Sequence, residues 1–102
     1  MDYLPDVRKY SPDANEAAVA AIVKYCGIAL QKRDSAMVST SDAKEMATVK
    51  QGFATKKLGL TPEQADAGIQ AVIAKLKGDR TKSRVTFYYL LAEATGTLGK
   101  LA

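Results

Sequence analysis

The stretch KGDRTKSRVTFYYLL, residues 77 to 91, restricts the fold more than any other part of this chain. Val85, Phe87, Tyr89 and Leu91 alternate as they would in a strand, and their β-propensity is high. No other segment reads as a partner strand, however, and a lone strand leaves its backbone amides and carbonyls unsatisfied. The segment is therefore predicted to be a helix. Val85, Tyr88, Tyr89 and Ala92 then share one face, and Phe87, Leu90, Leu91 and Ala94 cover most of the rest. Only Thr86 and Glu93 remain for an exposed edge. A helix this apolar has to be the one around which the others pack.

Three further segments show helical periodicity, each with a start signal. Asp13 and Glu16 in SPDANE are spaced for a capping box, and Val19, Ile22, Val23, Cys26 and Leu30 follow as one stripe. Ala17, Ala21 and Ile28 project nearly opposite, so this helix too is expected near the centre. Asp42 and Glu45 in SDAKE repeat the capping pattern ahead of Met46, Val49 and Phe53. That helix is expected to stop at LGL, where Gly59 can adopt a left-handed conformation. Thr61, Pro62 and Gln64 start the next helix at once, with Ala65, Ile69, Val72, Ile73 and Leu76 inward and Lys75, Lys77 and Gly78 forming a favourable end. A short amphipathic piece with Leu4, Val7 and Tyr10 precedes them all. The expected architecture is all-α: a compact bundle of four main helices plus a short N-terminal helix, in a single domain over residues 1–102.

Composition narrows the function. Hydrophobic residues make up 47% and charged residues 25% of the 102, which is ordinary globular usage rather than the signature of disorder. There is no histidine and only one cysteine, Cys26. Imidazole bases, serine and cysteine dyads that depend on imidazole, and most zinc sites are thereby excluded. No carboxylate pair stands out from capping positions, so the expectation is a non-enzyme with no cofactor and no metal. Cys26 lies on the inner stripe and reads as a small core residue; a lone thiol also fits a reducing, cytoplasmic setting. The acidic start and the absence of a long apolar run predict neither a secretory signal nor a membrane span.

The formal charge of +4 is unevenly placed. Residues 1 to 51 hold seven Lys/Arg and seven Asp/Glu, whereas 52 to 102 hold eight and four. The excess includes Arg80, Lys82 and Arg84 at the entry of the last helix. A helix N-terminus carries about half a positive charge, so cations there are unfavourable by about 0.3 to 1 kcal/mol each without compensation. Arg80 and Arg84, four apart, add a like-charge penalty on a helical face. An anion held by Arg80, Thr81, Ser83 and Arg84 would relieve both. The competing reading has Asp79 capping the helix and acids such as Asp34 or Asp42 pairing with the arginines inside the monomer. The outline of helices three and four also suggests a helix-turn-helix, but the second of them is apolar almost all round after Arg84. It could contact phosphates and not read bases. The hydroxyl-rich VSTSD at 38 to 42 lacks the glycines of a phosphate cradle and reads as a loop and cap.

Three separated stretches, KYCGIALQKRDSAMVS, GFATKKLGL and GDRTKSRVTFYYLLAE, together resemble a small bacterial family of about this length, catalogued only as a domain of unknown function. The resemblance implies a soluble, mainly helical protein and supplies no activity, cofactor or catalytic residue. The residues themselves point to an interaction module that binds a protein partner or a second copy. A nonspecific binder of nucleic-acid phosphates is the first alternative, and a small enzyme without histidine the second.

Overall fold

A computed structural model describes residues 3–31, 36–78 and 83–101, with the side chains of 28 and 29 excepted. Among these residues lie five α-helices: α1 (Leu4–Arg8), α2 (Glu16–Cys26), α3 (Ala43–Val49), α4 (Pro62–Lys75) and α5 (Arg84–Ala94). Short 3-10 segments follow α2 (Gly27–Gln31) and α5 (Leu98–Lys100). The described residues contain no strand, only an isolated antiparallel bridge between Met37 and Ser83. The radius of gyration of 12.1 Å is close to the roughly 13 Å expected of a folded chain of 100 residues. The all-α bundle is thus compact.

Helix α5 is the axis. Its residues from Val85 through Ala92 are all buried, and α1, α2, α4 and the segment after α3 pack around it. Thr86, expected on the exposed edge, is 1% accessible. The correction comes from α1: burying Val7 on α5 brings Asp6 over Thr86, whose hydroxyl donates to Asp6 Oδ2. The chain after α1 is held down in the same way. Ser11 donates its hydroxyl to Glu93 Oε2 at 2.5 Å, and the Asn15 amide donates to the Tyr89 hydroxyl at 2.8 Å. Each bond lets a buried or half-buried polar group of α5 keep a partner.

Two details of α2 differ from the sequence reading. Its cap is Asn15, whose side-chain oxygen accepts from the amides of Ala17 and Ala18 at 2.9 and 3.2 Å, so Asp13 and Glu16 form no capping box. Only one face is inside, with Ala18, Val19 and Ile22 buried while Ala17 is exposed. Alanines on the second face carry too little apolar area to demand burial.

Asp42 caps α3, accepting from Lys44 and Glu45 amides at 2.9 and 3.4 Å. The helix does not continue as α to its end. From Lys50 to Lys57 it widens into a π-helix, with Leu58 N–H donating to Phe53 C=O and the Thr55 hydroxyl to Lys50 C=O, both five residues back. Such segments are rare and recur at functional sites. It closes as expected: Gly59 has φ +70°, and Leu60 N–H reaches Ala54 C=O at 3.0 Å. Thr61 and Gln64 then make the predicted reciprocal capping box. Helix α4 meets α5 at Gly68, where a methyl group would lie 2.6 Å from Thr95 Cγ2 and 2.8 Å from Leu91 Cδ1. Only glycine permits this approach.

Candidate functional site

Gly27, at φ +49°, ends α2 and accepts the role of C-cap, its N–H donating to Val23 C=O. This fixes Tyr25 and Cys26 in the last turn of α2, beside the π-helix and the first turns of α5. Tyr25 falls outside the apolar stripe of α2 and is 44% exposed, the one exposed large hydrophobic side chain among the described residues. Its ring centroid lies 5.5 Å from that of Phe53 and 6.5 Å from that of Tyr88, tilted by about 50° in both cases. Phe53 and Tyr88 are themselves stacked at 4.1 Å and 16°. The exposed tyrosine therefore stands on a buried aromatic pair, an arrangement that limits its rotamers and favours offset ring contacts. Lys57, one turn further along the π-helix, places Nζ 5.8 Å from the Tyr25 centroid.

Below this surface lies a polar cluster. Arg84 is the first residue of α5 and its backbone N–H donates to Ala36 C=O at 2.8 Å. Its guanidinium donates from Nη1 to the Tyr88 hydroxyl at 3.0 Å and from Nη2 to Glu45 Oε1 at 2.5 Å, with Cζ 5.7 Å from the Tyr88 ring centroid. The Arg84 side chain is only 11% accessible and that of Glu45 24%. Burial works against the Arg84 charge, but the hydrogen bonds and charges of Tyr88 and Glu45 outweigh it and raise its pKa. Burial raises the Tyr88 phenol, opposed by Arg84. Burial likewise pushes the Cys26 thiol from 9.0 up to about 11, again opposed by Arg84. Cys26 is a half-buried, protonated thiol at neutral pH and a poor nucleophile.

Of the four residues proposed from sequence to hold an anion, Ser83 and Arg84 sit together at the start of α5, while Arg80 and Thr81 lie outside the described residues. Arg84 is the first residue of α5. Arg84 does have a compensating negative charge, but from Glu45. Asp42, one of the two suggested partners, is occupied as the α3 cap, and Asp34 lies outside the described residues. Ser83 Oγ is buried without a hydrogen-bond partner among the described residues and caps no amide of α5. The aromatic surface was not singled out from sequence. The signals were present: Tyr25 off the stripe of its helix, and Arg84 and Tyr88 one turn apart.

A shallow groove of about 260 Å³ runs between α4 and α5 past Leu60, Gln64, Gly68, Ala71 and Thr95. Its lining holds no charged group, so nothing in it would orient an ionic ligand. No group of three His, Cys, Asp or Glu side chains among the described residues could hold a metal, and none of their helices is long and apolar enough to cross a membrane. Around Tyr25 the described residues bring together three aromatic rings, the Lys57 ammonium and the Arg84–Glu45 pair.

A family model described as "Protein of unknown function (DUF2853)" matches residues 2–99. No curated protein matches the chain.

Proposed function

The chain belongs to the DUF2853 family, and from that premise we propose that it is a non-catalytic, cytoplasmic interaction module, a single domain that binds a protein partner or a second copy through the surface at Tyr25. One observation carries this reading: a large aromatic side chain, 44% exposed, held on a stacked Phe53–Tyr88 pair. Tyrosines that combine exposure with restricted rotamers are typical anchors of protein interfaces, because little side-chain entropy is lost on binding. The binding of nucleic-acid phosphates is less well supported, since the guanidinium of Arg84 is already engaged by Glu45 and Tyr88. A small enzyme lacks support for the reasons of chemistry given by the site.

Sedimentation velocity of the full chain, combined with affinity capture, tests the module. A concentration-dependent dimer, or a stoichiometric partner lost on Tyr25→Ala, is the expected result. A strict monomer that captures no partner would refute it.

A second reading keeps a small anion at Arg80, Thr81, Ser83 and Arg84. The Ser83 hydroxyl, buried with no hydrogen-bond partner among the described residues, favours it. Phosphate at constant ionic strength should then raise the melting temperature by linkage, and Arg80→Ala should erase the rise. An identical rise in both proteins eliminates the anion.

A further inference from the structure

We infer that the partner of the Tyr25 surface is an acidic peptide segment bearing one aromatic or large aliphatic anchor, a refinement that rests on the interaction-module reading. Shape and charge both contribute. The apolar element is small, a single exposed ring backed by Phe53, so it suits one anchoring side chain rather than the face of a whole helix. The rim carries a cation: Lys57 Nζ stands over the ring at 5.8 Å from its centroid.

Neither Lys24 nor Lys57 takes part in an ion pair among the described residues, in contrast to Lys9, Lys50, Lys75 and Arg84. The carboxylate of the cluster, Glu45, is already committed to Arg84. Among the described residues, the charge placed at the ring is thus the Lys57 ammonium, paired with no carboxylate. A carboxylate flanking the anchor would meet Lys57, accelerating association and setting orientation.

The π-helix carries two of these groups, Phe53 and Lys57. Between Lys50 and Lys57 it turns Phe53 inward beneath Tyr25 while leaving Lys57 at the rim. A single-stranded nucleic acid is less well matched, because its recognition uses successive stacking platforms along a basic groove and only one ring is exposed.

The test is a titration of the isotopically labelled full chain, followed by amide chemical shifts, with a synthetic peptide of glutamates and serines around one central tryptophan. Controls are the same peptide with serine for tryptophan, the same peptide with lysine for glutamate, and oligothymidylate. The expected perturbations centre on Tyr25, Phe53 and Lys57. Tyr25→Ala should weaken binding about tenfold, as for an anchoring residue. Lys57→Gln, a surface change that spares the core, should weaken it about threefold and flatten its salt dependence.

Equal binding of the glutamate and lysine peptides overturns the inference. So do perturbations confined to the α4–α5 groove, and oligothymidylate perturbing the Tyr25 surface where the peptide does not. A captured protein partner retained equally by wild type and Tyr25→Ala overturns the assignment of this surface and leaves the module reading intact. Failure of the wild type to associate with anything, as tested above, removes both.

Discussion

Arg84 and Glu45 meet at 2.5 Å, joining the first residue of the central helix α5 to the first turn of α3. The pair is more than three-quarters buried on both sides, so its partners are far from interchangeable with water. Removing one member leaves the other charge poorly solvated, and that is where the energy lies.

Glu45→Ala should therefore destabilise the protein by about 1.5 to 3 kcal/mol, the range for a lost hydrogen bond to a charged group. Urea unfolding of the two proteins measures the difference. Arg84→Met, which leaves no guanidinium to satisfy but strands Glu45 nearer the surface, should cost less than Glu45→Ala.

Two glycines within helical segments should respond with opposite signs to alanine. At Gly68 the new methyl would press on Leu91, itself fully buried, and on Thr95. Overpacking of about 1 to 3 kcal/mol then exceeds the gain in helix propensity of about 1 kcal/mol. At Gly52 nothing lies within 4 Å, and Gly52→Ala should stabilise by about 0.5 to 1 kcal/mol through reduced unfolded-state entropy. Paired thermal melts of the variants report both signs.

Thr86→Val keeps the shape of a buried side chain and removes the donor to Asp6. Destabilisation of about 1 kcal/mol is expected. Amide exchange should quicken most in α1, because that bond ties α1 to the bundle.

Alkylation of Cys26 at neutral pH should be much slower than in the unfolded chain, given a thiol pushed up to about 11. The same shift makes stability pH-dependent. The folded state holds its proton more tightly than the unfolded one, so the contribution is intact below the ordinary value of 9.0 and is lost as pH rises toward 11. Tyr88, raised in the same direction by burial, steepens the alkaline loss. Denaturant midpoints measured across this range check the sign.

Helices and their order were legible because apolar spacing and caps are local signals. Thr61, Pro62 and Gln64 announce α4 with no help from the rest of the chain, and the apolar density of 85–92 announces a central helix. What was not legible depends on tertiary neighbours. Asn15 rather than Asp13 caps α2 because its position, not its chemistry, matches where the backbone enters the helix. Thr86 looks like a surface residue until α1 lies across it. The choice of Glu45 over Asp42 as partner of Arg84 requires knowing how α3 approaches α5. The π-helix leaves no mark in periodicity over eight residues, and with it the grouping of Tyr25, Phe53, Lys57 and Tyr88 stays hidden.

In the stretch from Lys50 to Lys57 every backbone bond encloses one residue more than an ordinary helical turn needs. Such a region holds slack in reserve. Deleting exposed Gln51 would tighten the coil and rotate the buried ring of Phe53 away from Tyr25, so the aromatic pedestal and the core packing of that ring would be lost together. The surplus residue thereby ties the display of Tyr25 to the integrity of the core beneath it.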